Sequence, residues 1–224
     1  MTSLLLSVRN AEETLLALQT QVGIIDFKNP VLGALGALPA AQVQALLRLV
    51  AGRKLTSATI GDVPMTPGLI VPSALAMAET GVDMVKVGIF TDGKPLACIQ
   101  ALSPLAQQGF SLVAVLMADQ QPDLDLVAAI AQAGFKGVML DTAVKDGSGL
   151  LQHLKMEEIQ RFVALARQHD LMVGLAGELR HQQVLKLLPL APNYIGVRGA
   201  ASRDQDRISS LDVSRIEGLL ALLQ

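Results

Sequence analysis

Short β-type runs and helix-type segments alternate along nearly the whole chain, and that order leaves few folds open. The patterning predicts strands over Leu4–Val8, Val22–Phe27, Leu55–Ile60, Met84–Ile89, Ser111–Met117, Gly137–Asp141, Met172–Leu175 and Tyr194–Val197. Helical periodicity occupies Ala11–Thr20, Ala40–Ala51, Ser73–Glu79, Leu96–Gln107, Leu124–Ala133, Met156–His169, His181–Leu188 and Arg215–Leu223. Gly109 and Gly134 stand just past two of these helices, where a left-handed residue closes a helix end. Eight strands and eight helices in strict alternation favour closure into a (β/α)8 barrel of the TIM-barrel class over an open doubly wound sheet. The 224 residues approach the ~250 that such a barrel uses. No Ser/Gly-rich tract or charge block could act as a linker, so residues 1–224 are expected to form one domain.

A chain that is 51% hydrophobic and 17% charged raises the question of a membrane. The apolar runs are short and broken by Gly, Asp, Lys or Pro, and none reaches the ~18 residues a spanning helix needs. Such a composition suits a parallel sheet buried on both faces, with some apolar surface left for a homo-oligomeric contact. The segment MTSLLLSVRNAEE lacks a basic start and is a poor signal peptide. A net charge of -2 and 3% aromatic residues give no footprint for nucleic acid. The single cysteine, Cys98, excludes an intramolecular disulfide and fits a reducing compartment, so a cytoplasmic location is expected.

The longer, more polar loops follow the strands: Lys28–Pro39, Gly61–Pro72, Thr142–Lys155 and Gly199–Ser210. In barrels that face carries the active site. Asp26 and Lys28 lie two apart at the end of the second strand and share one face. Lys86 interrupts the β-branched run of the fourth strand. Desolvation and neighbouring cations lower a lysine's pKa, and a neutral amine can attack a carbonyl or take a proton. One such lysine could equally be a salt-bridged or snorkelling side chain. Two in otherwise apolar strands favour function, because unpaired buried lysines are costly.

Asp141 ends the sixth strand, and Lys145 can return to it from the following loop to hold charge or shuttle protons; Asp146 and Gly147 read as ordinary turn residues. After the seventh and eighth strands come Ala176-Gly177 and Arg198-Gly199-Ala200, where barrels often hold phosphate on backbone N–H groups. Arg198 could add a charged clamp. Asp119 could line the pocket or cap a helix. His153, His169 and His181 have no metal-ligand spacing and read as surface residues, so no metal is expected.

Several of these segments, in order, carry a family resemblance: Asp26-Phe27-Lys28-Asn29-Pro30 with Gly33-Ala34-Leu35-Gly36, Ser57-Ala58-Thr59-Ile60-Gly61-Asp62-Val63-Pro64, Val85-Lys86-Val87-Gly88, Leu140 to Gly147, Leu175-Ala176-Gly177 and Gly196 to Ala201. Over nearly its whole length the chain resembles the (5-formylfuran-3-yl)methyl phosphate synthases, also called 4-(hydroxymethyl)-2-furancarboxaldehyde phosphate synthases, of methanofuran biosynthesis in methanogens, with relatives in methylotrophic bacteria that make a related furan cofactor. The resemblance implies condensation of two glyceraldehyde 3-phosphate molecules, with Lys28 forming the Schiff base and Lys86 accepting a proton. Asp26, Asp141 and Lys145 match the other polar pocket residues. No cofactor is implied, since the imine itself is the electron sink. Ser202 to Arg207 departs from the Cys- and Gly-containing continuation of the family. Two other readings remain: a simpler Schiff-base aldolase or triose phosphate isomerase, and a non-catalytic phosphometabolite-binding or assembly protein.

Overall fold

The computed structural model describes residues 2–223 and places eight parallel strands in sequence order around a closed barrel. They are β1 (Ser3–Val8), β2 (Ile24–Phe27), β3 (Leu55–Thr59), β4 (Met84–Ile89), β5 (Leu112–Met117), β6 (Gly137–Asp141), β7 (Met172–Leu175) and β8 (Tyr194–Val197). Strand β8 pairs back onto β1, with Leu5 opposite Gly196, and so closes the ring.

The side-chain alternation explains the two cores. In β5, Leu112, Ala114 and Leu116 pack in the outer layer, while Val113, Val115 and Met117 pack inside. The inner layer is filled at one end by Ile24, Met84, Met139 and Tyr194. Towards the strand C-termini it turns polar, with Ser7, Asp26, Lys28, Ser57, Thr59, Lys86 and Asp141 all buried. The barrel is therefore dry at its base and charged at its mouth.

The outer layer is covered by α1 (Ala11–Leu18), α2 (Ala40–Val50), α3 (Pro67–Ala78), α4 (Pro95–Gln107), α5 (Leu126–Gln132), α6 (Leu150–His153), α7 (Met156–Gln168), α8 (His181–Leu187) and α9 (Val213–Ala221). Asn10 starts α1 by accepting a hydrogen bond from the Glu13 N–H at 2.9 Å. Gly109 and Gly134 take the expected left-handed conformation after α4 and α5. Two expectations need correction. Helix α3 begins at Pro67, not Ser73; a proline is harmless at the first position, where the N–H has no intrahelical partner, and Pro72 is tolerated one turn later. The loop expected over Thr142–Lys155 contains the one-turn helix α6, a ninth helix among the described residues. No helix among those residues is long and apolar enough to cross a membrane.

Candidate active site

Strand register builds the floor of the site. Ser7 lies opposite Asp26 on one side and Ser57 lies opposite it on the other. Both hydroxyls donate to the carboxylate, Ser7 Oγ to Oδ2 at 2.8 Å and Ser57 Oγ to Oδ1 at 2.7 Å. Lys86 reaches across from β4 and sets its Nζ 2.8 Å from Oδ1. Burial alone would raise the Asp26 carboxyl, but the Lys86 and Lys28 ammonium groups and the hydrogen bonds from Lys86 and Ser57 outweigh it and hold it below its ordinary value. Asp26 was expected among the pocket residues. It lies beneath the cavity, fully buried, and presents Lys86 to it.

Above this floor stand Lys28 and the β6 residues. Asp141 accepts from Lys145 Nζ at 2.6 Å, and the same Nζ donates to Thr142 Oγ1 at 2.9 Å. The Thr142 N–H also donates to Asp141 at 2.8 Å. Burial would raise the Asp141 carboxyl, yet Lys145 and Lys28 hold it well below the usual carboxylate range. Lys28 Nζ is 4.0 Å from Asp141 Oδ2, too far for a hydrogen bond. Burial pushes the Lys28 amine down, Asp141 pulls it back up, and Lys86 lowers it again, leaving it at about 8. Lys28 is thus the least tightly paired of the three lysines, with an amine that burial makes easier to neutralise than an ordinary lysine's. That is the electronic state a nucleophilic amine requires.

Lys28, Lys86, Asp141 and Lys145 line one cavity of about 190 Å³, walled on the far side by Ala176, Gly177, Gly199 and Ala200. The structure therefore brings together the expected amines, the Asp141 carboxylate and the backbone expected to hold phosphate. Gly199 and Ala200 open a 3-10 turn, Gly199–Ala201, whose leading N–H groups have no partner within the turn. Arg198 lines the same cavity, but its donors are engaged within the protein. Its guanidinium makes a two-pronged ion pair with Glu13, at 2.6 and 2.9 Å. Its remaining donors go to the carbonyls of Ser7, Arg207 and Ser209. With all five N–H groups engaged, Arg198 braces α1 against the loop after β8.

Carboxylates also strap neighbouring loops together. Asp119 neither lines the cavity nor caps a helix; it accepts from the Ala143 and Val144 N–H groups, both at 2.8 Å. Asp62 accepts from Ala34 and Leu35 in the loop that follows Lys28. Glu178 accepts from Gly147 at 3.1 Å. Ser7, Ser57, Thr142, Glu13 and Arg207 were not singled out from the sequence. For Ser7 and Ser57 a signal existed: each is a hydroxyl on the inward face of its strand, at the level of Asp26. His153, His169 and His181 do not line the cavity. Among the described residues no group of three or more His, Cys, Asp or Glu could hold a metal ion.

Comparison with known proteins gives the chain a family and a fold. The family model described as 4-HFC-P synthase matches residues 4–220. A relative from Methylorubrum extorquens is 40% identical over 215 residues, covering 95% of this chain and 88% of its own. The (5-formylfuran-3-yl)methyl phosphate synthase of Methanopyrus kandleri is 37% identical over 215 residues, which is 91% of each chain. Among solved structures, phosphoribosyl anthranilate isomerase from Thermus thermophilus superposes with a TM-score of 0.70 at 13% identity, covering 99% of this chain and 98% of its own. At that identity the likeness concerns the barrel alone.

Proposed function

The chain belongs to the (5-formylfuran-3-yl)methyl phosphate synthase family, and from that premise we propose that it condenses two glyceraldehyde 3-phosphate molecules through an imine on Lys28. The product is (5-formylfuran-3-yl)methyl phosphate, and one phosphate and two waters are lost. The relatives' names support the product, and the cavity supports the route.

The observation that carries the reading is the inequality among the three lysines. Lys86 and Lys145 each touch a carboxylate, at 2.8 and 2.6 Å, while Lys28 stands 4.0 Å from one and is lowered to about 8. The neutral Lys28 amine adds to the aldehyde of one triose, and loss of water leaves the iminium. Removal of the neighbouring proton gives an enamine, whose carbon attacks the aldehyde of the second triose. Lys86, fixed on Asp26 beneath the same cavity, is the group placed to take that proton, once its ammonium has passed its own proton to the Asp26 carboxylate it touches. Asp141 and Lys145 serve the later steps, in which hydroxide and phosphate must leave with a proton supplied. Phosphate is held against the Ala176-Gly177 and Gly199-Ala200 backbone. This chemistry asks for no cofactor.

Borohydride reduction in the presence of glyceraldehyde 3-phosphate tests the reading. A triose adduct should map to the Lys28 peptide, vanish in Lys28→Ala, and accompany a furan chromophore in the unreduced reaction. An adduct without a furan product would point to a simple aldolase or isomerase. No adduct on any lysine would point to a protein that only binds phosphorylated metabolites.

A further inference from the structure

The loop after β8 is held far more tightly than a surface loop requires. Three consecutive carbonyls are captured by arginines: Arg207 O by Arg198 Nε at 2.8 Å, Ile208 O by Arg9 Nη1 at 2.7 Å, and Ser209 O by Arg198 Nη2 at 2.8 Å. Both arginines converge on one carboxylate. Glu13, almost wholly buried on α1, pairs with Arg198 and also takes Arg9 Nε at 3.3 Å and the Arg9 N–H at 2.9 Å. A single buried anion thereby anchors a loop nearly two hundred residues away.

The side chain that this anchoring directs over the site is Arg207. Its carbonyl is tied back to the brace, while the residue itself lines the cavity shared by Lys28 and Lys145. Nη2 donates to the Gly33 carbonyl at 2.8 Å, which spans the mouth from the β8 loop to the loop after Lys28. The two arginines differ in charge balance. Arg198 is neutralised by Glu13, whereas among the described residues Arg207 has no carboxylate within 4.0 Å. Its one mapped acceptor is a neutral carbonyl, so its positive charge stays available. A planar fork of donors with an unspent charge is the side chain best matched to a phosphate dianion.

We infer that Arg207 is the side-chain grip for the phosphate of a triose bound over Lys28, and that Glu13, acting through Arg198 and Arg9, is the residue that positions it. The inference rests on the proposed triose phosphate chemistry for its substrate, and it transfers the charged-clamp role from Arg198 to a residue nine positions on.

Two measurements on the whole chain test it. Calorimetry with inorganic phosphate needs no imine; Arg207→Ala should weaken phosphate binding by about 10- to 100-fold, the usual loss of a charged hydrogen-bonding partner, with Arg207→Lys in between. Borohydride trapping then compares glyceraldehyde 3-phosphate with unphosphorylated glyceraldehyde, and the ratio of the two efficiencies should fall by a similar factor. Glu13→Gln should lower the same ratio. If that variant does not fold, Arg9→Met removes the Ile208 leg from a side chain that is 31% exposed. Failure of the parent protein to bind phosphate, unchanged affinity in Arg207→Ala, or equal loss with both aldehydes overturns the role of Arg207. A fall with Arg207→Ala but not with the brace variants overturns the role of Glu13. If the parent traps neither aldehyde, the imine reading fails, and the phosphate measurement still decides on Arg207.

Discussion

Replacing Lys28 by methionine should abolish the chemistry and stabilise the protein. The Lys28 amine is buried and sits at about 8 in the folded chain, against an ordinary value of 10.5. At pH 7 both the folded and the unfolded chain hold this proton, so the folded chain carries a charge that its surroundings oppose. A difference of about 2.5 at about 1.36 kcal/mol each corresponds to about 3 kcal/mol of lost stability. The sign follows from proton counting. Between pH 8 and 10.5 the unfolded chain binds more protons than the folded one, so stability rises with pH through that window and the penalty is gone above it. Methionine has a similar length and no charge. Lys28→Met should therefore gain up to about 3 kcal/mol at pH 7, with the gain shrinking to near zero by about pH 10.5. Urea unfolding followed by circular dichroism at pH 7 and pH 10 measures both values. A variant less stable than the parent at pH 7, or a gain that does not shrink with pH, would refute the reasoning. The same equilibrium should govern trapping, which should rise about tenfold per pH unit below pH 8 and level off above it.

Asp26→Asn should cost about 3–5 kcal/mol in urea unfolding, because it strands Lys86 in a buried site; the double variant Asp26→Asn/Lys86→Met should recover most of that loss. Equal costs for the single and double variants would show that the serine hydroxyls, not Lys86, set the demand for a carboxylate. Gly33→Ala should cost about 1–3 kcal/mol, since Gly33 has φ +93° and an added Cβ would collide with Asp62 Oδ2. Thermal unfolding reads the cost, and faster hydrogen exchange at the Ala34 and Leu35 amides would show that the Asp62 strap has opened.

The barrel was legible because strand-length runs and helical periodicity alternate along nearly the whole chain, and each cue is local. The lysines and Asp141 were legible for a related reason: a charge inside an apolar strand stands out against its neighbours. What could not be read was set by partners distant in sequence. Arg198 looked like a free clamp because Glu13, which neutralises it, lies 185 positions away on another element. Asp119 suggested a helix cap by position, yet its acceptors are used by a loop more than twenty residues on. Pro67 and Pro72 look like breaks in the sequence, while the packing of Ile70 and Ala74 in the core keeps α3 helical from Pro67 on.

The hydroxyls that hold Asp26 come from two different strands, and they meet it in one alignment only. A slip of β2 by a single residue against either neighbour would reverse its faces, turning Phe27 inward and driving Asp26 and Lys28 into the oily layer under the helices. Few errors in this chain would be penalised more heavily, because both charges would then lack water and partner alike. Assembly of the reaction centre and faithful closure of the ring are thus one event. The groups that burden the finished molecule also proofread its construction.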